Sequence, residues 1–310
     1  MNAPLISILI STFNWPCHKL AGQLEALVQK ENEDSIEIIV GDDASTDEQV
    51  LRENQTISSL PHCRYITFSK NNGRARIRNR LAGLARGRYL LFIDSDAEVI
   101  SRDFLRNYLN CLPQNKVVYG GISTPPASEY ADRTLRIAYE TAASRIRTLD
   151  YRRKHPYSYI SAFNILIEHA LFNRIMFDER CTTYGYEDAL LGIELKLRQE
   201  PIFHIDNPLL HTGIDTNSSF LEKVEQSLQT LQQIGLPMQK VSAIHRLYHI
   251  LHHIGLDTVA AFTFTHGLKR AYRANLLSAT PSLLVLRLYK IGYYCHLHKQ
   301  SGKSITSSYG

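Results

Sequence analysis

Arg88–Ile100 reads RYLLFIDSDAEVI. The apolar run Tyr89-Leu90-Leu91-Phe92-Ile93 ends in two aspartates, Asp94 and Asp96, one residue apart. A short unbroken apolar run bounded by turn residues is the pattern of a strand buried on both faces. An unpaired buried carboxylate is expensive, so the acids either sit in a solvated turn or meet something positive. If the strand continues, the two carboxylates share a face, where a hard divalent cation could take them together with substrate phosphates. A solvated strand-end turn explains the pair equally well, since Asp and Ser favour turns.

Working outward, similar runs appear at 5–11 (LISILIS), 36–41 (IEIIVG), 64–68 (RYITF) and 116–121 (KVVYGG). Between the first two, Leu20, Leu24, Leu27 and Val28 recur at helical spacing; between 68 and 88, Ile77, Leu81 and Leu84 do the same. Strands alternating with helices predict an α/β fold with a mostly parallel sheet flanked by helices. Ligands bind beyond the carboxyl ends of such strands, where Asp42-Asp43 and Asp94/Asp96 both fall. Further on, 123–133 reads as a loop, 131–148 as a helix, 160–167 as a strand and 185–199 as a helix with Leu190, Leu191, Leu195 and Leu197 inside. Ser219 with Glu222 forms a capping-box pattern before the apolar face Leu221, Val224, Leu228 and Leu231. The remaining residues read as two or three helices, the last opened by Pro281.

The 310 residues allow one large or two fused domains, and 44% hydrophobic with 21% charged residues is ordinary for a globular chain. Five scattered cysteines without a Cys-x-x-Cys pair argue against a disulfide framework or a zinc knuckle and for a reducing compartment. The opening MNAPLISILIST reads as a first strand rather than a signal peptide, and no window is apolar enough to span a membrane. The net charge of +5 is uneven: 241–310 carries eight Lys or Arg against Asp257 alone, a balance of +7 that leaves −2 for the rest.

Between Lys70 and Arg88 lie seven basic residues. Asn71-Asn72-Gly73 is a turn opening a helix, whose N-terminus attracts anions. Arg74 and Arg78 fall one turn apart and could grip a diphosphate, although most of the seven belong to a solvated helix face. Nucleic acid is a weaker explanation, because aromatics are not interleaved and the nearby acids would repel a phosphate backbone. GDDASTD at 41–47 is either a polar strand-to-helix loop or a pocket whose carboxylate accepts hydrogen bonds from a base or ribose.

Five motifs in order, SILISTFN, IEIIVGDDASTD, NNGRARIRN, RGRYLLFIDSD and YGYEDALLG, resemble glycosyltransferase family 2 on the GT-A fold, over residues 5–215. The resemblance implies a Rossmann-like sheet in which 1–120 binds a nucleotide sugar and 121–215 supplies the catalytic and acceptor side. Residues 216–310 would form a C-terminal helical extension. Ser11 and Phe13 would contact the nucleoside and Asp43 a uracil-type base, with Asn72 and Arg78 completing that pocket. Asp94 and Asp96 match the D-x-D motif, Asp96 on a divalent metal (Mn or Mg) and Asp94 on ribose or metal. Asp188 matches the catalytic base, and His211 falls where some members supply a third metal ligand, a packed histidine being the alternative. Asn164, Tyr186 and Glu187 are acceptor-side candidates.

The implied activity is a metal-dependent, inverting transfer of one sugar from a nucleotide-diphosphate sugar, UDP-linked by preference, to a saccharide or lipid-linked saccharide in surface polysaccharide biosynthesis. Such an enzyme would work in the cytoplasm or at the inner face of its membrane. Departures exist: Ser11 replaces the usual proline of the first motif, and no Gln-x-x-Arg-Trp follows Glu187-Asp188, which speaks against a processive synthase. A sugar nucleotidyltransferase would need a Gly-rich phosphate loop where STFNWPCHK stands; a non-catalytic binding module would be expected to lose Asp96 or Asp188. His245, His249, His252 and His253 recur at helical spacings that could bind metal, but without acids or cysteines they read as a packed helix. Leu283, Leu284, Leu286, Leu288, Tyr289, Tyr293 and Tyr294 beside the basic tail suggest helices lying in a membrane interface, or equally helices packed on the rest of the chain.

Overall fold

The computed structural model describes residues 4–31, 35–126, 130, 132–235 and 242–306, without the side chains of 301–306. Of the loop read over 123–133, residues 127–129 and 131 lie outside the described residues, as does 241 at the head of the tail. The strands are β1 (Ile6–Thr12), β2 (Ile36–Asp42), β3 (Cys63–Thr67), β4 (Tyr89–Asp94), β5 (Ala97–Glu98), β6 (Val117–Tyr119), β7 (Ile122–Ser123), β8 (Asn164–Glu168), β9 (Phe203–His204) and β10 (Leu209–His211). The helices are α1 (His18–Glu31), α2 (Glu48–Gln55), α3 (Arg74–Leu84), α4 (Phe104–Leu109), α5 (Thr134–Ser144), α6 (Leu149–Lys154), α7 (His169–Ile175), α8 (Glu187–Leu197), α9 (Asn217–Ile234), α10 (Ala243–His253), α11 (Leu256–Thr263), α12 (Lys269–Leu276) and α13 (Leu283–Thr306). The chain divides into two compact units.

The first unit holds 1–125, 144–182 and 187–213. Its sheet has the order β3-β2-β1-β4-β8-β6-β9, parallel except that β8 runs against both neighbours. This is the mostly parallel α/β architecture that the apolar runs predict. Ile6, Ile8 and Ile10 of β1 pack with Leu20, Leu24 and Val28 of α1 on one face of the sheet. On the strand carrying the opening motif, Phe92 stacks with Phe172 and Phe177 at centroid distances of 4.9 and 5.4 Å. Such a side chain is worth several kcal/mol in the core, about 3–5 kcal/mol if truncated to Ala. Leu190, Leu191 and Leu195 of α8 are buried as read, but Leu197 is 71% exposed at the helix's last turn. A smaller sheet, β5-β10-β7, sits at the end of β4 and matters for the site.

The second unit holds 126–143, 183–186 and 214–310 and is helical. Leu221, Val224, Leu228 and Leu231 line the buried face of α9. Its cap is Thr216, not Ser219: Thr216 is extended, and its hydroxyl accepts the Ser219 N–H. The capping-box reading is thus three residues late, because Ser219 lies inside the first turn.

The tail is more tightly packed than its amphipathic pattern suggested. Leu286, Tyr289, Tyr293 and Tyr294 of α13 are all buried, leaving Leu284 and Leu288 exposed from the seven residues read as an interface. The Tyr289 hydroxyl donates to Glu225, Gln229 donates to the Tyr293 oxygen, and Tyr294 bonds His245 Nδ1 at 2.7 Å. Of the α10 histidines only His245 is buried in that packing; His249, His252 and His253 are exposed. His249 Nε2 faces His245 Nε2 at 3.1 Å, and Tyr248 stacks on His298 at 4.0 Å. Among the described residues no three His, Cys, Asp or Glu side chains are placed to hold a metal ion. No described helix is long and apolar enough to cross a membrane.

Candidate active site

Strand register assembles the first part of the site. β1 pairs with β4 so that Ser11 lies opposite Asp94, and with β2 so that Ser11 lies opposite Gly41 and Thr12 opposite Asp42. Three adjacent strands therefore end in one row. Asn14, at φ 50°, ties the row's first loop down: its Oδ1 accepts the Thr46 and Asp47 N–H groups. Phe13 beside it is 48% exposed. Asp42 is wholly buried and accepts from the Ser45 N–H and the Tyr65 hydroxyl, so it holds the fold. Asp43 is also buried; its oxygens accept from the N–H groups of Asn72 and Gly73 and from the Asn72 amide. Gly73, at φ 81°, supplies the conformation that lets the chain turn there into α3.

Beyond β4 the chain turns directly into β5, and β5 pairs antiparallel with β10, Ala97 opposite His211. That pairing brings His211 to Asp96 across 115 positions, its Nε2 3.2 Å from Oδ2. The Thr212 N–H and hydroxyl both donate to the Asp96 carbonyl at 2.9 Å, and a Cβ at Gly213 would collide with the Asp96 carboxylate. Asp96 Oδ1 is buried with no hydrogen-bond partner. A buried carboxylate oxygen left alone costs a few kcal/mol, and an ion is one of the few things that explain it. Asp96 and His211 offer the oxygen and nitrogen ligands that Mn²⁺ or Mg²⁺ takes, and a cation of this kind leaves its remaining positions to water and substrate phosphate. The donor set fits a divalent metal.

Asp94 is engaged differently. Arg74 Nη2 lies 2.6 Å from its Oδ2 and Arg78 Nη2 2.5 Å from its Oδ1, both arginines projecting from one face of α3 as their spacing predicts. Burial alone would raise the Asp94 pKa; Arg78 and then Arg74 outweigh it and hold the carboxyl at about 2. The same arginines reach Glu187, with Arg74 Nε at 3.1 Å and Arg78 Nη1 at 3.3 Å from Oε1. Arg78, 3% exposed, is the centre of this buried network. Replacing it with Met should leave both buried carboxylates to Arg74 alone and lower stability by about 3–5 kcal/mol. Urea unfolding of Arg78→Met checks this, and a loss under about 1 kcal/mol contradicts it.

Glu187 and Asp188 open α8, and neighbours on a helix point about 100° apart. Glu187 turns toward the arginines while Asp188 turns toward the start of β8. There Asp188 Oδ2 accepts the Ser161 hydroxyl at 2.7 Å and Oδ1 the Ala162 N–H at 3.1 Å. Burial, followed by the neighbouring Glu187, pushes its carboxyl up to about 6, against the opposing pull of Arg78 and Ser161. A quarter of the side chain stays exposed. A carboxylate in that range can accept a proton near neutral pH.

Two acceptor-side candidates sit elsewhere. Asn164 is fully buried: its Oδ1 accepts the Tyr108 hydroxyl, and its Nδ2 donates to the Gly121 and Asn207 carbonyls. Every polar atom of that side chain is spent inside the fold, so it faces no acceptor. Tyr186 belongs to the second unit, at φ 71°, and burial pushes its hydroxyl up to about 12 against a hydrogen bond with Ser242. Sequence reasoning passed over Asn14 and Ser161. A small polar residue just past a strand was the available signal for Asn14; Ser161 carries no spacing relation to Asp188 at all.

The family model described as "Glycosyl transferase family 2" matches residues 7–176. An uncharacterized glycosyltransferase of Haemophilus influenzae is 36% identical over 118 residues, which are 38% of this chain and 46% of that protein. A protein of Escherichia coli K12 named as a colanic acid biosynthesis glycosyl transferase, WcaA, is 35% identical over 31% of this chain and 34% of its own length. The matches thus span a third to just under half of these relatives. Among solved structures, the mannosyltransferase PcManGT from Pyrobaculum calidifontis, in complex with GDP-Man and Mn²⁺, aligns over 95% of this chain and 86% of its own. Its TM-score is 0.52 at 18% identity. TarS 1-349 from S. aureus in complex with UDP-GlcNAc aligns over 96% and 92%, with a TM-score of 0.51 at 15% identity. At such identities the likeness is one of fold, the GT-A fold. The family match covers more than half of the sequence and contains the Asp94-Ser95-Asp96 strand end, and the chain belongs to glycosyl transferase family 2.

Proposed function

We propose that this chain transfers one sugar from a nucleotide-diphosphate sugar to a saccharide or lipid-linked saccharide acceptor, by a single displacement with inversion. Asp188 carries the proposal: it is a partly exposed carboxylate, raised to about 6, at the start of α8. It accepts the proton of the acceptor hydroxyl as that oxygen attacks the anomeric carbon. Glu187 diverges from it and is bound to arginines, so the two do not form the flanking carboxylate pair of a glycosidase.

Residues 1–120 form the donor half and 121–215 the catalytic half, with 216–310 as the helical region. Ser11 and Phe13 line the nucleoside end, Asp43 and Asn72 shape the turn before α3, and Arg74 and Arg78 lie where the diphosphate would be neutralised. Asp96 and His211 would hold a divalent metal, Mn or Mg, which when bound stabilises the charge on the departing diphosphate. Asp94, held by both arginines, orients them. The GDP-Man and Mn²⁺ bound by PcManGT and the UDP-GlcNAc bound by TarS support this class of donor, with UDP-sugars favoured by the sequence resemblance. The relative named for colanic acid biosynthesis supports a role in surface polysaccharide synthesis.

The test is release of nucleoside diphosphate from a panel of UDP-, GDP- and dTDP-sugars, with Mn²⁺, with Mg²⁺ and with excess chelator. One donor class should be consumed slowly with metal and not with chelator. Failure of every donor, or undiminished release in chelator, contradicts the proposal.

A further inference from the structure

We propose that the outer face of α10 and α11 docks on an anionic lipid bilayer. Both helices lay one stripe against α13. From α10, His245 meets Tyr294 and Tyr248 meets His298; from α11, Asp257 bonds Lys299 at 2.9 Å. Away from α13 the two helices present a second, apolar stripe. Leu247 and Ile250 of α10 and Ile254 just past its end are 42, 60 and 58% exposed, and Leu256, Val259 and Phe262 of α11 are 48, 54 and 61% exposed. Gly255, at φ 72°, joins the two helices in a left-handed turn, with three of the six large apolar side chains on either side of it. Among the described residues 18 large apolar side chains are exposed, and 10 of them lie between 247 and 288. Scattered singly they would need no explanation; six of the ten follow one another over 247–262 and mark an interaction surface.

Charge decides what covers it. From 242 to 306 the single acid is Asp257, and it is buried between His252 and Lys299. No carboxylate on this segment reaches solvent. Arg246 and Arg270 are exposed and make no ion pair among the described residues; Arg246 lies one turn before Ile250, and Arg270 lies in α12, beyond Phe262. A second copy docking on the same face would set these cations against their own counterparts with no acid to pair them. An anionic bilayer answers both features, since apolar side chains enter the headgroup boundary while the flanking arginines meet lipid phosphates. The sequence pattern left α13 between a membrane interface and internal packing, and its aromatics are inside; the exposed apolar run over 247–262 belongs to α10 and α11.

This placement extends the lipid-linked acceptor proposed above, and its test is independent of catalysis. The full chain is sedimented with phosphatidylcholine vesicles, with and without phosphatidylglycerol, at low and high salt. It is compared with an Ile250→Asp/Val259→Asp/Phe262→Asp variant and an Arg246→Glu/Arg270→Glu variant. Wild type should bind anionic vesicles at low salt and release at high salt, and each variant should bind about tenfold or more weakly. Both should keep the wild-type circular dichroism spectrum and donor hydrolysis. Indifference of wild type to anionic vesicles, or undiminished binding by the triple variant, overturns the proposal. So does a concentration-dependent dimer that the triple variant abolishes without any vesicle binding. Absence of donor hydrolysis in all three proteins would count against the transfer reaction and leave the vesicle result standing.

Discussion

Asp188→Asn should lower turnover by about two to four orders of magnitude and leave donor affinity nearly unchanged. The amide has the shape of the carboxylate, so contact with Ser161 and Ala162 survives; what disappears is the capacity to take a proton. In the wild type the acid limb should fall near pH 6, because burial and Glu187 push the Asp188 carboxyl up to about 6. The sign is fixed by the role: the base works deprotonated, so activity is full above that value and declines as pH falls through it. Ser161→Ala removes a hydrogen bond that favours the charged form and should move the limb to higher pH. Steady-state rates from pH 5 to 8 on the three proteins check both statements. An active Asp188→Asn beside a dead Glu187→Gln would move the assignment to Glu187.

Asp96→Ala should remove metal-dependent turnover by about three orders of magnitude or more, since charge stabilisation at a leaving diphosphate is worth several kcal/mol. Metal-dependent donor binding should go with it, while the fold stays intact. The Asp96 side chain is held by His211 alone among its described hydrogen-bond partners, and its other oxygen has none. Arg78→Met is the contrasting case, where a stability loss should accompany the loss of activity. Calorimetric titration of donor with and without Mn²⁺, alongside thermal unfolding, separates the two. A fully active Asp96→Ala enzyme would remove Asp96 from the metal assignment.

The half of the sheet built from β1 to β4 is legible because each strand is a continuous apolar run, and the acids at its rim are legible because they interrupt those runs. What lies across the chain is less so. Nothing local to Asp96 announces His211; the β5–β10 pairing of two- and three-residue strands brings them together, and strands so short leave no periodic trace. Asp94 was expected on ribose or metal, yet its partners in the fold are two arginines from a helix that reads as a basic surface. The polar side chain of Asn164 looked available and is consumed by three internal hydrogen bonds. Tyr289, Tyr293 and Tyr294 illustrate an ambiguity that the sequence leaves open. Aromatics on a basic helix suit a membrane interface and a helix–helix core alike, and only the partners on α9 and α10 distinguish them.

If Asp188 is the only base and no covalent sugar–enzyme species forms, each turnover must invert the anomeric centre. Water can replace the unknown acceptor, so ¹H NMR of the sugar first released from an α-linked donor, recorded before mutarotation, tests the mechanism without further identification. The β anomer should appear first and relax toward the equilibrium mixture. Initial release of the α anomer would mean retention, and would contradict a single displacement driven by Asp188.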